Sequence, residues 1–239
     1  MRLRERWSDL PIRLRAGLAA LFLVLTFLLL WWLSGWAWPT PTLAHRALER
    51  EHLFGRGEIV AEGEITHSED ASHSSGQGTH FVVSKADGRY AASVLRPKWG
   101  FLWRSAQAFS WPFFVLSPTE EAPLAYSFLA SDSIYTVNSG SAWISGWDYL
   151  LLVVSDDPDI VRVEVTMNYT YRLSTGEGYG EPMESDPVTA QAQPVADGVW
   201  LARVQSPDPL EGRSGGYSAN YSLRGYDAAG QLVYDSGPQ

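Results

Sequence analysis

The side chains best suited to chemistry fall in three places. The first is a run from His67 to His80 that carries three imidazoles (His67, His73, His80) and two carboxylates (Glu69, Asp70). Imidazole nitrogen and carboxylate oxygen are zinc ligands. Their intervals of six and seven residues match no helical metal motif, and the chain has no cysteine to add a thiolate. A solvated loop is the simpler reading, and we expect no metal. The second place is Asp156, Asp157 and Asp159, whose oxygens suit calcium. The glycine and bidentate glutamate of an EF-hand loop are missing, and Pro158 makes a β-turn of the group. The third is the aromatic stretch Trp99–Phe114, WGFLWRSAQAFSWPFF. Trp99, Phe101 and Trp103 sit two apart, and Phe109, Trp111 and Phe113 repeat that parity. Such a run lines the buried face of a sheet, meets a membrane interface, or stacks a sugar or other ligand. Trp99, Phe101, Trp103 and Trp111 are the candidate ligand-binding residues.

Catalytic sets are harder to assemble. Gly216-Tyr217-Ser218-Ala219-Asn220 approaches a nucleophile elbow but lacks its final glycine, and every histidine lies far upstream. There is no P-loop and no dinucleotide fingerprint, and Gly176-Glu177-Gly178-Tyr179-Gly180 reads as a loop. We therefore expect no catalytic residue, no cofactor and no enzymatic activity.

The elements that must position these residues begin with a membrane segment. Ala16–Trp38 runs without one charge. About 20 apolar residues cross the hydrocarbon core of a bilayer as a helix, which satisfies its own backbone polar groups. Trp31, Trp32, Trp36 and Trp38 gather at one end, as amphipathic rings do at the headgroup level. Five arginines precede the helix, and Arg46, Arg50 and Arg56 follow it. The more basic flank belongs in the cytoplasm, so the N-terminus is expected inside. The apolar run is longer than a secretory signal core, and the best cleavage site, after Ala44, is poor. An uncleaved anchor is expected.

Charge supports this division. The net charge is −9, yet residues 1–38 carry five arginines against Glu5 and Asp9. The rest of the chain is strongly acidic, which argues against nucleic acid as a partner. The lipid bilayer and an unknown protein or envelope ligand are the expected partners. Absence of cysteine excludes disulfides, a thiol nucleophile and an acylated cysteine.

After the anchor, Thr40 as N-cap and Pro41 at the first helical position predict a short helix or stalk over about 42–54. From Gly57 the pattern changes to period two. Glu58–Thr66 alternates, with Ile59, Ala61, Gly63 and Ile65 on one side. Thr79–Lys85 and Arg89–Leu95 flank Asp87-Gly88, a strong hairpin signal. Leu124–Ala130 and Ser133–Trp143 read as two short strands. Tyr149–Val154 reads as a buried strand from its continuous apolar run, and Ile160–Leu173 alternates cleanly. Val188–Val195, Val199–Gln205, Tyr217–Arg224 and Gln231–Tyr234 close the chain. About ten strands at this spacing predict a mainly β fold: a transmembrane helix followed by an extracytoplasmic, sandwich-like region. The expected organisation is a tail over 1–15, the membrane helix over 16–38, a stalk or short helix over 39–56, and β modules over 57–142 and 143–239.

Two segments, KWGFLWR and DYLLLVVSDDPDIVRVEV, carry a resemblance. Through Trp99, Gly100, Trp103, Asp157, Pro158, Ile160, Val163 and Val165 the chain resembles uncharacterised exported or membrane-anchored β proteins of Gram-positive bacteria. The resemblance covers about a third of the chain and implies topology, with no activity attached. The expectation is then a single-pass cell-membrane protein whose outer part binds or senses something. An exported hydrolase acting on wall polymer or glycan is one alternative. A structural subunit that docks on a membrane protein is another.

Overall fold

The computed structural model of the chain describes residues 11–33, 36–65, 78–106, 113–138, 141–176 and 178–237. Its first helix, α1, spans Ile12–Leu33 and buries none of its residues. At about 1.5 Å per residue, its 22 residues are long enough to cross the roughly 30 Å hydrocarbon core of a bilayer. The helix begins earlier than the uncharged stretch, because the Pro11 carbonyl accepts the N–H groups of Leu14 and Arg15. Arg13 and Arg15 therefore join it, and long arginine stems extend along apolar surface while their heads stay wet. At the other end Trp36 adopts φ 60 and returns its N–H to the Trp31 carbonyl. Trp31 and Trp32 thus lie within the helix, and Trp36 and Trp38 beyond it.

Helix α2 spans Pro41–Glu51. Thr40 caps it, its hydroxyl accepting the Leu43 N–H at 3.2 Å, and proline occupies the first turn as the sequence predicts. It lies on the first of three antiparallel sheets. That sheet holds β1 (Glu58–Glu64), β2 (His80–Ala86), β3 (Arg89–Lys98) and β4 (Leu102–Ser105) in this order, and β5 (Phe113–Leu116) also pairs with β3. Asp87 and Gly88 at φ 51 and 71 form the tight β2–β3 turn. Small side chains on the helix side, Ser84, Ala91 and Ser93, let α2 approach, and Val82 and Leu95 pack against Ala44. Phe81, Val83, Tyr90, Ala92 and Val94 face the other way. A register shift between Ile59 and Ala61 breaks the alternation expected for β1. Ala61 and Ile65 consequently face the next sheet, while Ile59 turns toward the helix.

The central sheet has the order β12-β13-β7-β6, where β6 is Ala125–Asn138 and β7 is Ser141–Val154. The two short strands expected before residue 143 are instead one 14-residue strand and the start of another. Register shifts at Phe128/Ala130 and Ile134/Tyr135 hide that continuity from a period-two reading. The six strands of the outer sheet are β8 (Arg162–Thr175), β9 (Gly178–Tyr179), β10 (Met183–Glu184), β11 (Val188–Gln191), β14 (Gly215–Tyr226) and β15 (Leu232–Asp235). The remaining central strands are β12 (Gln193–Ala196) and β13 (Val199–Pro207).

The apolar run in β7 now has its reason. Leu152 and Val154 pack toward the first sheet, and Tyr149, Leu151 and Val153 toward the outer one. A strand covered on both faces carries apolar residues at every position. Between the central and outer sheets the rings of Tyr126, Phe128, Trp147, Tyr149, Tyr169 and Tyr221 form an aromatic cluster, with Tyr149 and Tyr169 buried and the exposed Tyr217 at its margin.

Gly198, in the β12–β13 turn, sits at φ +69, and its carbonyl accepts the Ser155 N–H at 2.9 Å. A Cβ there would lie 2.4 Å from the Ser155 carbonyl oxygen. Gly198→Ala is expected to cost about 1–3 kcal/mol through the left-handed backbone and this contact. A chemical denaturation midpoint equal to the parent's would refute that account.

Candidate functional site

The β3–β4 hairpin brings the predicted aromatic residues to the end of α1. Trp99, Gly100 and Phe101 form its loop, between the paired Lys98 and Leu102. Trp99 at φ 55 and Gly100 at φ 77 turn the chain over. A bulky residue in that region is strained, and glycine is not. The strain leaves both rings in the open: Trp99 is 53% exposed and Phe101 64%. The spacing of Trp99, Phe101 and Trp103 predicts one face of a strand. The left-handed pair at Trp99 and Gly100 makes a turn of the first two, and only Trp103 stands on β4.

Trp103 is half-buried and does a different job. Its backbone exchanges two hydrogen bonds with Trp38, at 2.6 and 2.7 Å, tying the chain after α1 to the edge of β4. Its ring meets His80 edge-on, with centroids 5.5 Å apart. Of the first chemical cluster, His80 alone is described; His67, Glu69, Asp70 and His73 lie outside the described residues, as does Trp111. Phe113 is buried and stacks on His52 at 4.7 Å.

Between the hairpin and α1 lies an apolar crevice of about 410 Å³. Phe27, Leu30 and Trp31 line it from the helix, and Trp99, Phe101 and Leu102 from the hairpin. The Trp31 indole N–H donates to the Ala37 carbonyl at 2.9 Å, and its ring packs edge-on against Trp36 and Trp38. Two cations sit over the rings of this region. Lys98 Nζ is 5.5 Å from the Trp99 ring centroid, and the Arg50 guanidinium is 5.9 Å from that of Trp38.

A second cavity, about 420 Å³, opens where the sheets meet and is lined in part by Lys85, Tyr90, Asp156, Asp157 and Trp200. Asp156 Oδ1 is 2.6 Å from Lys85 Nζ and 2.8 Å from the Tyr90 hydroxyl. The bond to Asp156 raises the Lys85 pKa, and burial raises that of Tyr90. The neighbouring aspartates close the turn. Asp157 N–H donates to Ser155 Oγ at 3.0 Å, and Asp159 N–H to Asp157 Oδ1 at 2.9 Å. These contacts explain the Asp-rich segment as turn chemistry.

The sequence reading missed a third cluster under α2. His45 and Glu49, one turn apart, are buried against the first sheet. Ser84 Oγ donates to Glu49 Oε1, and His45 Nε2 lies 2.8 Å from Ser84 Oγ. His45 Nδ1 lies 2.8 Å from Ser93 Oγ, and Arg46 clasps both Glu49 oxygens, at 3.0 and 2.7 Å. Since the Ser84 proton goes to the carboxylate, His45 donates from Nε2, and burial favours the neutral ring, in which Nδ1 accepts from the Ser93 hydroxyl. Burial pushes the His45 pKa down to about 4; Arg46 adds to this and Glu49 opposes it. Burial raises the Glu49 pKa, but the bonds from Ser84 and Arg46 outweigh it and hold the carboxyl below its usual range. The available signal was a His–Glu pair four apart on a helix, facing a strand pair with one serine in each strand.

Fold and site together define a three-sheet β body with a docked helix, carried behind one apolar helix long enough to cross a membrane. Residues 37–238 match the family described as Domain of unknown function (DUF5044), and the chain belongs to it. The match starts at the turn after α1 and takes in α2 and all three sheets. No curated protein and no solved structure matches the chain.

Proposed function

We propose that the protein is a single-pass, N-in, non-enzymatic module whose β body sits outside the cytoplasm, close over the membrane. There it binds or senses an envelope component or a membrane partner through the Trp99–Phe101 turn. The observation that carries this reading is the pair of exposed rings held beside the end of α1 by the Trp38–Trp103 bridge. Apolar rings left in water beside an apolar helix mark an interaction surface. The short tether favours the same view, because the body reaches only what lies near the bilayer.

Two measurements test it. Protease added to intact spheroplasts should digest the β body and spare the anchor; a fully shielded body would overturn the orientation. A photo-crosslinking phenylalanine analogue in place of Phe101 should form envelope adducts, and the same analogue at Val233 should form few. Val233 is 47% exposed on the outer sheet. Equal adduct yields at the two positions would deny the turn any special contact.

A further inference from the structure

The geometry points to the crevice between α1 and the β3–β4 hairpin as a binding site for one anionic phospholipid, with an acyl chain in the crevice and the headgroup at Lys98 and Arg50. This deepens the reading above and rests on it, since it needs the turn at the membrane surface. The crevice is continuous with the surface of the apolar helix. Phe27, Leu30 and Trp31 belong to the membrane-crossing helix, so whatever surrounds that helix fills the space they share with Trp99, Phe101 and Leu102. The lining is almost wholly apolar, and hydrocarbon chains are what surrounds a membrane-crossing helix.

Charge selects the headgroup. From Gly88 to Ser117 the chain carries Arg89, Arg96, Lys98 and Arg104 and not one acid, in a body that is otherwise strongly acidic. Lys98 forms no ion pair among the described residues, and Glu62, the acid near Thr42, is held by that hydroxyl at 3.2 Å. Cations stacked over interfacial indoles meet phosphate at the headgroup level. Lys98 and Arg50, each over an indole that lines the crevice, are placed to select a net negative headgroup over a zwitterionic one.

The test uses the full chain, purified in detergent and offered phosphatidylglycerol or phosphatidylcholine, with bound lipid counted by native mass spectrometry. One phosphatidylglycerol should be retained, and phosphatidylcholine much less. Lys98→Gln and Arg50→Gln should each weaken phosphatidylglycerol retention about fivefold, the worth of one basic residue at an anionic surface. Leu102→Trp, which fills the crevice, should abolish retention of both lipids. Each variant's melting temperature in lipid-free detergent should equal the parent's, which separates lost binding from lost folding. Equal retention of the two lipids, with Phe101-position crosslinks still falling on lipid, would overturn the anionic site and leave the surface-seated reading standing. Crosslinks to a protein with no lipid retained would overturn this inference in favour of a partner. Crosslinks to nothing would overturn both readings.

Discussion

Leu151→Ala and Leu152→Ala should each cost about 3–4 kcal/mol, although the two side chains never meet. They are neighbours on β7, pair with Ala202 and Leu201 of β13, and are fully buried on opposite faces of the central sheet. Leu151 belongs to the core under the outer sheet, and Leu152 to the core under the first. Because one sheet floors both cores, either cavity should be felt by the whole body. The expected result is one thermal transition for the full chain, followed by near-UV circular dichroism, shifted down by roughly 10 °C in both variants. The β6–β7 hairpin joins the stretches 57–142 and 143–239, so the experiment also asks whether they melt as one. Two separated transitions, with one moved by each variant, would show layers that unfold independently.

Much of this architecture is legible in local chemistry. Val163, Val165, Met167 and Tyr169 alternate with polar residues because β8 has one buried face, and all four are buried. Asp87-Gly88 announces a turn because few residues tolerate positive φ, and Thr40-Pro41 announces a helix start because the threonine hydroxyl accepts an otherwise unpaired N–H and proline has none to satisfy. What period-two reading cannot supply is the layer to which a doubly covered strand belongs. Leu150 through Val154 are apolar without interruption, so they say that β7 is central and nothing about which sheet lies on which side. Bulges do similar damage, since one extra residue reverses parity, as at Ile59.

The candidate site divides in the same way. Aromatic spacing singled out Trp99 and Phe101, yet spacing suited to a strand described a turn, because the left-handed step at Trp99 and Gly100 is invisible to periodicity. Trp103 carries the same residue type and a structural task, the bridge to Trp38. The His45–Glu49 pair could not be weighed alone. A histidine on an amphipathic helix becomes informative only once Ser84 and Ser93, some 40 residues later, are known to lie beneath it.

That pair makes the binding of α2 to its sheet sensitive to acid. Above the ordinary histidine range the neutral His45 is the form both folded and unfolded chains hold, and the network is intact. As pH falls below 6.5 the unfolded chain takes up a proton that the folded ring refuses until about pH 4. Stability is therefore full above 6.5 and declines through that window, by about 2 kcal/mol at pH 5. Glu49, held low, adds a further loss as pH falls through its ordinary value of 4.5, where the unfolded carboxyl protonates first. At pH 7, Glu49→Ala should cost about 3 kcal/mol, less than a fully enclosed ion pair, because Arg46 keeps some access to water. Its loss leaves the Ser84 hydroxyl and the Gly57 N–H without their acceptor. His45→Gln should also destabilise at pH 7, but the decline between pH 7 and pH 5 should nearly vanish in it. Hydrogen exchange of α2 amides would locate the effect, since these should open first in the parent at pH 5 and stay protected at pH 7. A parent protein whose α2 protection is the same at both values would mean that the ring is already charged in the folded state and that Nδ1 donates to the Ser93 hydroxyl instead of accepting from it.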